Sequence, residues 1–158
     1  MSKKIFFAKL IAPFTRRIRF PGRERLLRSL FPPDHFRKAG SFEFVIPYDR
    51  DLYFRCDLGS YLEWSIFFKG YYGPDLSILI KNLIKPGMQI VDVGAYTLIM
   101  AKQTGSTGKV IAFEPNPEVS QRLEYNIRLN HFEDRVSLIP FALSDREGDL
   151  TLSGGRKK

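Results

Sequence analysis

Asp92 and Gly94 in the stretch Gln89-Ile90-Val91-Asp92-Val93-Gly94-Ala95, and Glu114 twenty residues beyond Gly94 in Val110-Ile111-Ala112-Phe113-Glu114-Pro115-Asn116-Pro117, are the residues whose types and spacing can do chemistry. Each stretch is an apolar run that ends in an acid. An acid and a glycine at the tip of one strand, then a helix, then a second strand ending in a carboxylate, suit recognition of an adenosine ribose by an α/β sheet. Glu114 can accept hydrogen bonds from both ribose hydroxyls; its plainer role is to favour the N-terminus of the following helix. Asp92 can orient the loop amides or face the ammonium of a ligand through water, and Gly94 permits close backbone approach. A nicotinamide fingerprint needs glycines two and five positions after Gly94, where Tyr96 and Ile99 stand.

The elements that must position these residues are legible from pattern. Pro74 opens a helix through Leu83, which Pro86-Gly87 ends. Strand one is Gln89 to Val93, an apolar run that predicts a strand covered on both faces. A helix over Ala95 to Gln103 follows, then strand two, Lys109 to Phe113. Asn116 can cap the next helix, Pro117 fits its first position, and Val119, Leu123 and Ile127 recur at helical spacing. Strand three is Val136 to Ile139, and Asp149 to Ser153 is a last strand candidate. Strand, helix, strand, helix, strand implies a parallel sheet with right-handed crossovers in the order three, two, one. Strand one is then an edge, through which the chain would self-associate.

Upstream, Phe42–Ile46 and Leu52–Cys56 read as a β-hairpin, and Tyr61–Tyr72 is dense in aromatics, with Trp64 and Phe67 assigned to packing. A short helical piece around Arg23 to Leu30 is stopped by Pro32-Pro33. The charge is divided unevenly. Residues 1–40 hold eleven Lys or Arg against Glu24 and Asp34, a net +9, and the remaining residues sum to −1. This predicts a basic N-terminal arm over residues 1–40 and a nearly neutral folded part from 41 to 158. A neutral folded part argues against a nucleic-acid partner. Residues 1–20 do not read as a signal peptide, because Lys9, Pro13 and Arg16-Arg17 interrupt the apolar run. They would be a solvated arm or a peripheral membrane contact laying Ile5, Phe6, Leu10 and Phe14 into the interface. The single cysteine, Cys56, excludes an intrachain disulfide and fits a reducing, cytoplasmic setting, and no metal site is indicated.

Pro86-Gly87 through Asn116-Pro117, with Phe141-Ala142-Leu143-Ser144-Asp145 beyond, resembles the FkbM-type methyltransferases. The resemblance covers roughly residues 70–152. It implies a Rossmann-like class I methyltransferase sheet, here incomplete, and S-adenosylmethionine as cofactor. It also implies methylation of a hydroxyl on a small-molecule or glycan acceptor, such as a sugar or secondary metabolite. By the same match Asp92, Gly94 and Ala95 would lie under the methionine part, Glu114 on the ribose with Asn116 in the same block, and Phe141 and Ala142 beside the adenine. Members read approximately Asp-x-Gly-Ala-Asn-x-Gly-x-Tyr-Thr, so about four residues, roughly one helical turn, are missing between Ala95 and Tyr96. Gly73 stands where the related pattern has an acid, and the family domain continues into further strands beside strand one. No residue is named as general base, and His131 reads as a loop residue. These departures lead to the expectation of weak or absent activity in this chain alone. The alternative is a non-catalytic domain that binds a partner or membrane through its basic arm.

Overall fold

The computed structural model describes residues 3–38, 43–94, 96–149 and 151, in two compact units, Met1–Ile80 and Lys81–Lys158. The first unit contains α1 (Lys3–Arg17), α2 (Arg23–Leu30), α3 (Pro33–Lys38), the antiparallel hairpin of β1 (Glu43–Tyr48) and β2 (Leu52–Asp57), and α4 (Tyr61–Lys69). The next helix is α5 (Pro74–Leu83). The second unit contains β3 (Gln89–Asp92), α6 (Thr97–Thr104), β4 (Lys109–Phe113), α7 (Pro117–Leu129) and β5 (Val136–Ile139).

The core of the first unit is aromatic, as the density over 61–72 predicts. Trp64 and Phe68 are fully buried, Phe67 is nearly so, and the Trp64 Nε1–H donates to the Phe31 carbonyl at 2.7 Å. Gly70, at φ 80°, ends α4, a backbone conformation open to glycine at little cost.

The expected arm is instead part of this unit. Ile5, Ala8 and Ala12 line the inner face of α1 and are buried. At its end the Thr15 hydroxyl donates to the Phe68 carbonyl and Arg16 Nε–H to the Phe67 carbonyl, both at 2.7 Å. Arg23 is buried and ties the following turn down, donating to the carbonyls of Thr15 and Ile18 and to the Tyr71 hydroxyl. Ile5 therefore cannot enter a membrane while the unit is folded. The cations of residues 1–40 also sit largely on packed helices, which removes the argument that the fold lacks a basic surface.

In the second unit β3, β4 and β5 form a parallel sheet in that spatial order, so β3 is an edge, as the crossover rule predicts. Val110, Ala112 and Val136 point into the core, with Asp92 on the same face. The other face is open, with Val91 58% and Val93 64% exposed, so the expectation that strand one is covered on both faces fails. Its apolar composition signalled sheet, but only the side chains of one parity are packed. Asp149 and Thr151 are not in a strand, and the rest of that candidate lies outside the described residues, as do Ser41 and Phe42.

Gly108 fixes how closely the end of α6 approaches β4. A Cβ there would meet Thr104 Cβ and lie 2.8 Å from the carbonyl oxygens of Met88 and Thr104. Backbone cannot yield as a side chain would. Gly108→Ala is expected to destabilise the second unit by about 1–3 kcal/mol, the usual cost of overpacking. Thermal unfolding followed by circular dichroism tests this, and an unchanged midpoint would refute it.

Candidate functional site

Parallel strands bring their carboxyl ends to one edge, and the register states which residues meet there. Asp92 pairs with Ala112, and Phe113 with Ile139. Two residues beyond the first of these pairs the chain reaches Gly94 on one strand and Glu114 on the other, and the chain leaving β5 passes through Phe141. The three sequence blocks thus share one rim, the usual position of a ligand in open α/β sheets.

At the tip of β4, the Glu114 N–H donates to the Ile139 carbonyl at 3.1 Å, which fixes the backbone between two strand ends. The half-buried side chain accepts from the Asn116 N–H at Oε1, 2.8 Å away. Among the described residues its second oxygen, Oε2, has no hydrogen-bond partner. Asn116 is the N-cap of α7, its Oδ1 accepting from Glu118 N–H at 2.9 Å and Val119 N–H at 3.4 Å. The sequence reading of a cap therefore holds, and the side-chain oxygen of Asn116 is committed to it. Of the two readings of Glu114, the local one is seen: one carboxylate oxygen organises the turn into α7.

Asp92 is buried and accepts from the Thr97 hydroxyl at Oδ2, 2.5 Å away, and from the Tyr96 backbone N–H. Thr97 begins α6, so these bonds close a short loop back onto the strand that launches it. Sequence reasoning missed Thr97; its place five residues after a strand-end acid, at a helix start, was the available signal. Burial raises the Asp92 pKa, and the Thr97 and Tyr96 bonds only partly oppose this. A raised folded-state value means that the native protein favours the proton. The stabilising contribution is full below the ordinary value of 3.8 and is lost as pH rises through the folded value. In Asp92→Asn, which keeps an acceptor but does not titrate, this loss should disappear. The wild-type unfolding midpoint is expected to fall relative to the variant as pH rises from 3.8 through the folded value, and parallel profiles would contradict it.

At Gly94 an added Cβ would meet only Asp92 Oδ1, at 3.8 Å, an ordinary contact, and the backbone is not left-handed. Among the described residues nothing demands glycine there, and the position leaves room for close backbone approach. Phe141 is 68% exposed and Ala142 is also exposed, in a segment without regular structure. Ala95 lies outside the described residues. His131 is exposed, in the turn after α7. Among the described residues no group of His, Cys, Asp and Glu could hold a metal ion. In chemistry these groups suit an adenosine: an acceptor oxygen without a partner among the described residues, a glycine and an exposed aromatic ring follow the strand ends.

Residues 87–157 match the methyltransferase FkbM domain. No curated protein matches the sequence. Among solved structures, the SAM-dependent O-methyltransferase of Thermotoga maritima is 20% identical, over 63% of this chain and 56% of its own, with a TM-score of 0.42. A tRNA methyltransferase of M. jannaschii is 14% identical, over 63% of this chain and 29% of its own, at 0.44. A Methanocaldococcus jannaschii protein in complex with adenosine is 21% identical, over 67% and 31%, at 0.42. The chain thus spans between 29% and 56% of the length of these proteins.

Proposed function

We propose, from the match of residues 87–157 to the methyltransferase FkbM domain, that this rim binds S-adenosylmethionine for methyl transfer to an acceptor hydroxyl. The observation that carries the reading is the Glu114 oxygen at the tip of β4 that has no partner among the described residues, one strand from the exit towards Phe141. When bound, the cofactor supplies a methyl group on a sulfonium, which is electrophilic without further activation. What the protein adds is binding and orientation. Glu114 would accept from the ribose hydroxyls, with Asn116 holding the turn that presents it. Phe141 and Ala142 would border the adenine, and Asp92, Gly94 and Ala95 the methionine part. We propose a sugar or secondary-metabolite hydroxyl as the acceptor. A nucleic-acid acceptor is not set aside by charge, since the basic residues lie on folded helices.

A second reading, a non-catalytic domain, is favoured by one feature. The Asp92 carboxylate is held by Thr97 and Tyr96 across a four-residue loop, so it is engaged before any ligand arrives. Calorimetry with S-adenosylmethionine separates the two. A saturable heat, competed by S-adenosylhomocysteine, supports the cofactor site; folded protein that gives no heat would leave only the non-catalytic reading.

A further inference from the structure

α1 is apolar on two sides, and only one of them is packed. Ile5, Ala8 and Ala12 face the first unit, while Phe6, Phe7 and Leu10 are each 55% exposed and Phe14 is 63% exposed. Phe6, Leu10 and Phe14 recur every four residues, so they form one ridge about 12 Å long, with Phe7 beside it. A helix that merely covered a core would carry polar residues there. Cations frame the ridge. Arg17 lies three residues beyond Phe14 on the same face, Lys4 three before Phe7, and both are exposed. Beside the helix, a groove of about 530 Å³ against β1 is lined by Lys9, Arg16, Arg17, Phe44, Val45 and Phe67, with Lys9 Nζ 4.5 Å from the Phe44 ring centre.

We propose that the outer face of α1 docks on an anionic phospholipid bilayer. The ridge enters the acyl boundary, and Lys4, Lys9 and Arg17 meet headgroup phosphates. Charge complementarity selects this occupant. A second copy would bring the same cations against one another, because a two-fold interface pairs a patch with itself. A nucleic acid would meet the cations but leave the Phe and Leu ridge without a partner. No described helix is long and apolar enough to cross a membrane, so the contact is interfacial. The inference is independent of the cofactor reading and uses only residues of the first unit.

Flotation of the full chain with vesicles tests it. Binding to phosphatidylcholine vesicles containing about 30% phosphatidylglycerol is expected to exceed binding to pure phosphatidylcholine by at least about tenfold, and to weaken with salt. The triple variant Phe6→Ser, Leu10→Ser, Phe14→Ser and the double variant Lys4→Glu, Arg17→Glu should each lose most of this binding. All five positions are exposed, so circular dichroism and melting should be unchanged. In Phe14→Trp, anionic vesicles should shift the added fluorescence to the blue, whereas Trp64 is already buried. Equal binding to both vesicle types, or a triple variant that binds normally, overturns the proposal. So does a vesicle-free dimer abolished by the triple variant, or tRNA binding to this face that displaces the vesicles.

Discussion

S-adenosylmethionine binding by Glu114→Ala is expected to be about 10- to 150-fold weaker than by the unaltered chain. The figure follows from the approximately 1.5–3 kcal/mol that a hydrogen bond to a charged group contributes. Charge-assisted bonds from ribose hydroxyls to a carboxylate lie at the strong end of the range, and Glu114 is half-buried, which limits competition from water. The substitution also removes the acceptor of the Asn116 N–H and so loosens the turn into α7. Glu114→Gln separates these effects: its amide oxygen can still accept from Asn116, but the charge is gone, so its affinity should fall between the two. A more direct comparison uses the 2′-deoxy cofactor analogue. The wild-type chain should bind it less well than S-adenosylmethionine, whereas Glu114→Ala should not distinguish the two. Discrimination that survives in Glu114→Ala would place the ribose elsewhere, even if the cofactor still binds.

The parts of this site that could be read from sequence are those with one physical cause. α5 begins at Pro74 and α7 at Pro117 because proline suits a first helical position, and the Asn116 cap is a local bond among neighbours. β4 and β5 emerge with the bounds that their apolar runs predict. Where two causes competed, sequence misled. Pro32-Pro33 does stop α2 at Leu30, but Pro33 also opens α3, which the stop signal conceals. α1 was hidden because its apolar residues occupy two faces, one against the unit and one outward, so no single stripe marked it, and Pro13 and the clustered charge suggested an arm. The site divides the same way. Asp92 and Glu114 announced themselves by ending apolar strands. The Thr97 hydroxyl did not, since its role depends on how far the loop after Gly94 turns back, and only the folded backbone sets that.

The largest effect on stability is expected from Trp64→Ala. Trp64 is fully buried, lies 5.1 Å from the Phe68 ring and 6.0 Å from Tyr61 between centroids, and its indole N–H is the donor to the Phe31 carbonyl. Truncating such a side chain costs about 3–5 kcal/mol in lost burial and residual cavity. The Phe31 carbonyl, left without its donor, adds about 1–3 kcal/mol if water cannot reach it. Against a typical domain stability of about 5–15 kcal/mol, this removes roughly a quarter or more. The first unit should then melt at least about 15 °C lower, at about 4–8 °C per kcal/mol for a unit of this size. Because the substitution removes the only tryptophan, far-ultraviolet circular dichroism is the readout. Trp64→Phe refills most of the space but cannot donate to Phe31, so it should recover roughly half of the loss. If Trp64→Phe instead melts as low as Trp64→Ala, the indole hydrogen bond outweighs packing; if Trp64→Ala melts within a few degrees of the wild type, the aromatic cluster is not what holds α4 against Phe31.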